Sequence, residues 1–357
     1  HVMALAGKSL ALLALGRYPE AIVCLEAVLA QRPDDLNALA RLGIAHLRNG
    51  EPARALSAFE RALQQHGDQA WLWAKRALAL QQLQRDDEAI AAWQRAISLN
   101  PAQMWYRTQL AALQAQRGQF TEALASVEAA STQEAHALRA AILRRIGRYE
   151  EALEACDQAL ALDPSYAWAH SQRGVVLERL GRLSEALEAH EQALQRAPQV
   201  WWYRLNVLRL LQRLGRQDEA LQVSAEGLAA PPINASLAAR LWAQHGEVLR
   251  HLHHYTEALS AYAQARDLNP QLPLAWEGMG LVHAALGNHA EALAALERAT
   301  ELQPQNARFW YNYGAELIEA GDYPEAIRAL NCALVLRRNY SEAELKRREA
   351  RRKLRKP

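Results

Sequence analysis

A glutamate-alanine pair returns along this chain at nearly constant spacing, and a strict period of this length means stacked copies of one small unit. The alanine stands at Ala21, Ala55, Ala89, Ala123, Ala152, Ala186, Ala220, Ala258, Ala292 and Ala326. The intervals are 34, 34, 34, 29, 34, 34, 38, 34 and 34 residues. Arg54 alone replaces the preceding glutamate. Five residues earlier a glycine recurs, at Gly16, Gly50, Gly118, Gly147, Gly181, Gly215, Gly287 and Gly321. Twelve residues later a proline recurs, at Pro33, Pro101, Pro164, Pro198, Pro232, Pro270 and Pro304.

The physics of one unit follows from this punctuation. Alanine, leucine, glutamate, glutamine and arginine dominate, and these are helix formers. Between proline and glycine lies a first helix, A, of about four turns. The glycine stops it by adopting a left-handed backbone. A second helix, B, carries the Glu-Ala pair and is ended by the next proline. The small alanine lets helix B approach helix A closely. A second small residue seven positions on supports this, at Ala62, Ala96, Ala130, Ala159, Ala193, Gly227, Ala265, Ala299 and Ala333. One hairpin cannot bury its own apolar face, so the units must stack.

The stretches "WYNYGAELIEAGDYPEAIRALNCALVL" (310–336) and "WAHSQRGVVLERLGRLSEALEAHEQALQRAP" (168–198) carry the pattern most completely. The chain resembles the tetratricopeptide repeat (TPR) family, in ten tandem repeats over residues 2–340. That resemblance implies an all-α, right-handed superhelix, an α-solenoid of helix-turn-helix repeats, closed by a C-terminal capping helix. The fourth repeat (104–132) is five residues short, and residues 235–238 are a four-residue insertion after Pro231-Pro232. These breaks divide the array into 1–132, 133–234 and 235–340, followed by a basic capping segment, 341–357. Ser341 with Glu344 reads as a capping box opening the last helix.

The chain carries a formal net charge of +2. From Arg337 onward there are ten basic and three acidic residues, which leaves the body 31 basic against 36 acidic. A body of that sign argues against nucleic acid as a partner. The basic tail reads as a solvating cap, with a segment for nucleic acid or anionic lipid as the alternative. Cys24, Cys156 and Cys332 have neither disulfide nor metal-ligand spacing, which fits a reducing, cytoplasmic setting. No apolar run reaches membrane-spanning length. The first helix begins without a cap, as expected for an array cut from a longer protein.

Ten tryptophans test the register. Trp73, Trp242, Trp276 and Trp310 fall at the fourth place of helix A, which the resemblance marks as the buried aromatic. Trp93, on helix B, is expected in the core. Trp71, Trp105, Trp168 and Trp202 occupy the second place, which in the family looks into the concave groove. In "WWYR", Trp202 is therefore expected to face the groove, Tyr203 to pack between repeats and Trp201 to cover the preceding turn. The same wall should carry Arg41, Lys75, Gln109, Gln172, Asn206, Gln244 and Asn312 at the sixth place. Arg48, Arg145, Arg179, Arg213 and His251 follow near its far end. Amphipathic aromatics beside arginine are what binding hot spots use.

No catalytic constellation emerges, and no cofactor or metal is expected. "GMGLVHAALG" (278–287) lies inside a helix A and reads as packing glycine, not a phosphate loop. "HLHHYTE" (251–257) reads as a polar turn without acidic residues at helical spacing from its histidines. The positions of a two-carboxylate clamp known in some TPR domains hold Ala40, Ala74, Thr108 and Ser171 in place of lysine. The reading is a non-catalytic scaffold that binds a protein or extended peptide, with self-association open. Two alternatives stand beside it. One is the sensing or oligomerising arm of a larger ATPase, protease or signalling regulator. The other is single-stranded nucleic-acid binding through tryptophan and arginine.

Overall fold

The computed structural model describes residues 2–229 and 234–355, and Pro231 and Pro232 lie outside the described residues. Among these the chain is all-α. It divides into two compact units, residues 1–180 and 181–357.

In the first unit the A helices are α1 (Val2–Ala14), α3 (Leu36–Arg48), α5 (Ala70–Gln82), α7 (Met104–Gln116), α9 (Gln133–Arg145) and α11 (Ala167–Arg179). The B helices are α2 (Tyr18–Gln31), α4 (Pro52–Gln65), α6 (Asp86–Leu99), α8 (Phe120–Glu128) and α10 (Tyr149–Leu162). The second unit opens with a B helix, α12 (Leu183–Arg196). Four hairpins follow: α13 (Trp201–Arg213) with α14 (Gln217–Ala229), and α15 (Ala235–His251) with α16 (Tyr255–Leu268). Then come α17 (Pro273–Ala285) with α18 (His289–Leu302), and α19 (Ala307–Glu319) with α20 (Tyr323–Leu336). The final helix is α21 (Ser341–Leu354). Each of these four A helices packs on its own B helix, and α13, α15 and α17 pack also on the A helix of the next hairpin.

The punctuation works as its chemistry demands. All eight repeat glycines have positive φ, between 72° and 86°. In the two repeats without glycine, Gln84 (φ 58°) and His253 (φ 62°) take the same place. A side chain there costs about 1–2 kcal/mol, which the neighbouring helix packing offsets. The Glu of Glu-Ala sits in the first turn of helix B. It accepts from an arginine at the N-cap, as in Arg85–Glu88 (2.7 Å) and Arg216–Glu219 (2.6 Å). These exposed pairs add little to stability.

The ten repeat alanines are all fully buried. The small residues seven positions later are buried too. A further rule joins the helices of a hairpin. A glycine on helix A faces a large residue sixteen positions on, on helix B: Gly43 with Phe59, Gly246 with Tyr262, Gly280 with Leu296 and Gly314 with Leu330. In the seventh repeat the sizes at these sequence places are exchanged: Leu208 is large, Ser224 small, and both are buried. Constant combined volume keeps the spacing of the helices.

The two irregular intervals appear as helix length. Helix α8 has 9 residues where the other first-unit B helices have 14. Helix α15 has 17 residues where its fellow A helices have 13, so the insertion is one extra turn capped by Asn234.

Two expectations need correction. The fourth-place tryptophans are half-buried, not core. Their indoles brace the preceding turn: Trp73 donates to the Gly67 carbonyl, Trp276 to Pro270 and Trp310 to Pro304, each at 2.9 Å. The buried residue is the one before, as in Leu72 and Phe309. The capping box does not form either. Ser341 is already helical and its hydroxyl donates to Glu342, while Glu344 accepts from Arg347 and Arg348. Helix α21 is held instead by Tyr340, Ala343 and Ala350 against the last hairpin.

Candidate binding face on the A helices

The second place of helix A is where large indoles meet water. Trp71 is 36% exposed, Trp105 42% and Trp202 56%. Trp168 is half-buried, edge-on to Tyr166 with ring centroids 6.1 Å apart. On either side of Trp202, Trp201 and Tyr203 are buried. That follows from the 100° turn between successive helical residues, which sends only one of the three rings outward. Trp105 is seated rather than loose: it meets Trp93 edge-on at 5.3 Å and Tyr106 at 5.7 Å. A preorganised aromatic loses little freedom when a partner lands on it.

The polar candidates of the first unit divide by role. Arg41 and Lys75 are half-buried on α3 and α5, and Arg41 lines a recess of ≈ 210 Å³ beside Asp35. Arg145 reaches back to donate to the Ala115 carbonyl at 3.0 Å and lies over the Phe120 ring. It thereby satisfies the C-terminal end of α7. Burial lowers the pKa of its neighbour Arg144, and the positive charges of Arg179 and Arg145 lower it further.

In the second unit, Trp202, Leu205, Asn206, Arg209, Arg240 and Leu274 line a cleft of ≈ 470 Å³. Asn206 is only 2% exposed, yet its Nδ2 has no acceptor. Gln212, on the same lining, also has an Nε2 without one. Arg213 is exposed and lies outside this lining. Asn312 does not face it either, because its Nδ2 donates to Glu277 at 2.8 Å.

Glu277 is the anomaly of this wall. It occupies the fifth place, where Ala40, Ala74, Thr108, Ala137, Ser171, Leu205, Ala243 and Tyr311, all uncharged, sit in other repeats. It is 4% exposed and accepts from Arg308 and Asn312. Burial pushes its carboxyl up to about 7, because Arg308 is half in water and cannot compensate. Glu247 is also desolvated, but Arg250, with the Tyr262 hydroxyl, holds it at about 2. A smaller recess of ≈ 130 Å³ joins both carboxylates to Tyr262, Gln212 and Gln244.

These opposite shifts make a pH prediction. The folded chain keeps a proton on Glu277 between its ordinary 4.5 and about 7, so its stabilisation is complete below 4.5 and is lost as pH rises through 7. The loss amounts to about 3 kcal/mol. Glu247 acts the other way, its contribution vanishing as pH falls from 4.5 towards 2. Urea unfolding at pH 5 and 8 should show Glu277→Gln gaining on the wild type at the higher pH. Parallel curves would contradict the assignment.

The histidine turn corrects another expectation, since acidic partners are present. His251 Nε2 meets Glu247 at 3.0 Å and His254 Nδ1 meets Glu257 at 2.7 Å. The third histidine of the turn, His253, meets the Tyr255 hydroxyl at 2.8 Å, and no group of three metal-ligating residues forms among the described residues. Gly278 and Gly280 do act as packing glycines, against Tyr262 and Leu296. No helix among the described residues is long and apolar enough to cross a membrane.

Arg240, Leu274, Glu277 and Arg308 were not among the residues expected to form the face. A register count would have found them: Arg240, Leu274 and Arg308 hold the second place in their repeats, where Trp202 holds it in its own.

Models of the tetratricopeptide repeat match residues 7–70, 243–304 and 278–344, residues 70–103, and residues 104–129. A TPR repeat model matches residues 140–181. A comparison with curated proteins finds no match. Among solved structures, yeast Tom70 is similar at a TM-score of 0.53 and 15% identity, over 99% of this chain and 95% of that one. A chain of the APC/C hetero-tetramer Cut9–Hcn1 is similar at 0.53 and 13%, over 96% and 95%. A tetratricopeptide repeat protein from Parabacteroides merdae is similar at 0.47 and 16%, over 79% and 98%. At such identities the likeness speaks to the fold alone.

Proposed function

From the fact that the chain belongs to the tetratricopeptide repeat family, we propose that it is a non-catalytic scaffold binding a protein or extended peptide on its A-helix face. Proteins of this family generally mediate protein–protein interactions. The observation that carries the reading is the exposed indole at the second place of a helix A, Trp71 and Trp105 in the first unit and Trp202 in the second. An indole left in water offers a large apolar area and one N–H donor, and single tryptophans of this kind contribute about 2 kcal/mol or more to interfaces. Arg41, Lys75 and Arg179 would supply polar contacts in the first unit, and Asn206 in the second. Asn312 and Arg145 support the wall rather than touch the partner.

The test is partner capture by the full chain carrying Trp105→Ala and Trp202→Ala together. Captured partner should fall at least about tenfold while helicity and melting stay near those of the wild type. Undiminished capture, or loss of the fold, would refute the role given to these rings.

A further inference from the structure

We infer that the cleft on α13, α15 and α17 takes an acidic side chain flanked by a bulky apolar one, on an extended segment of the partner. This rests on the reading of the A-helix face as the binding surface, and it names the chemistry that face selects in the second unit.

The first support is the pair of orphaned donors. Asn206 Nδ2 and Gln212 Nε2 line the cleft and are shielded from water, and neither has an acceptor. A buried donor without a partner destabilises the fold, so apolar residues of the same shape would serve packing better. The amides make sense if a ligand brings oxygens to them.

The second support is charge. Arg240 is exposed and makes no ion pair among the described residues, and Arg209 lines the same cleft. No carboxylate lines it. The two in the neighbouring recess, Glu247 and Glu277, are already engaged by Arg250 and Arg308. The two buried polar atoms of this lining that lack a partner, Asn206 Nδ2 and Gln212 Nε2, are both donors. A carboxylate only accepts, and it fits a guanidinium fork with two parallel bonds. A lysine or arginine would meet like charge and leave both amides unanswered. Main-chain carbonyls could accept from the amides and from Arg240, but only a carboxylate brings the opposite charge to the guanidinium.

The third support is the apolar rim. Trp202 and Leu274 stand exposed on α13 and α17, with Pro273 beside Leu274. The volume of ≈ 470 Å³ suits a short run of residues, not a whole helix or a small metabolite held on all sides.

Fluorescence anisotropy of the full chain tests this with labelled Gly/Ser peptides of about twelve residues carrying a central Leu-Glu-Leu, Leu-Gln-Leu or Leu-Lys-Leu triplet. The glutamate peptide should bind about tenfold or more tightly than the glutamine peptide, and the lysine peptide more weakly still. Arg240→Gln, a surface change, should erase the difference between glutamate and glutamine. Asn206→Leu should weaken the glutamate peptide while the melting temperature holds or rises, which a purely structural asparagine would not allow. Equal binding of the three peptides, an unchanged preference in Arg240→Gln, or no binding of the glutamate peptide up to about 1 mM overturns the inference. The broader reading then stands or falls separately, on capture by the Trp105→Ala, Trp202→Ala chain.

Discussion

Trp93→Ala should destabilise the first unit by about 3–5 kcal/mol, whereas Trp105→Ala, twelve residues away, should cost clearly less. Trp93 is wholly buried on α6, and its Nε1 donates to Gln81 Oε1 at 3.2 Å. Its ring touches both Trp105 and Tyr106. Truncation would remove the largest fully buried side chain of the fold, leave a cavity between neighbouring hairpins, and strand the Gln81 amide. Trp105 is 42% exposed, so its truncation removes less burial and opens no enclosed cavity. In a repeat array stability is a sum over hairpins and their interfaces. The Trp93 lesion should therefore separate the melting of the first unit from that of the second. Denaturation followed by circular dichroism reads both quantities, and similar losses for the two variants would contradict the assignment of core and surface.

Gly278→Val should disrupt the second unit by about 3 kcal/mol or more, through overpacking rather than a cavity. A Cβ at Gly278 would lie 2.1 Å from Tyr262 Cε1 and 2.2 Å from Cζ, far inside van der Waals contact. The ring also lies close against Gly246, where an added Cβ would stand 3.0 Å from it. It cannot turn without breaking the 2.8 Å bond its hydroxyl donates to Glu247. Glu247 would then lose one of the groups that keep it ionised while buried. A general fall in midpoint should be joined by a smaller loss between pH 4.5 and 2, because part of the Glu247 contribution has gone. Gly7→Val, where an added Cβ meets nothing within 4 Å, is the control.

The fold was legible because the repeat states each choice many times over. The Glu-Ala alanine is buried in every hairpin, and every glycine read as a helix stop has the left-handed backbone it was read for. Local rules that depend on one residue read less well. Ser341 looked like a cap, but the helix begins at that residue and Glu344 is drawn to two arginines. The fourth-place tryptophans looked like core because of their size, yet an indole needs an acceptor, and the turn carbonyl six residues back provides it. Of the candidate face, Trp105 and Trp202 were placed outward by register alone. Glu277, Arg308 and Arg240 were not, since their significance lies in who stands across from them. A carboxylate at a place that is uncharged in the other repeats is visible in the sequence as an oddity, but its partner, thirty-one residues on, becomes visible only when α17 and α19 are side by side.

The central claim, that a partner sits on the A helices, is tested most directly by site-specific photo-cross-linking in the full chain. The B helices also carry exposed apolar residues, Leu162 on α10 and Val335 on α20 among them, so the comparison is fair. A photoreactive residue at Trp105, Trp202 or Leu274 should join the captured partner, and one at Leu162 or Val335 should not. Cross-links confined to the B-helix positions would contradict the account.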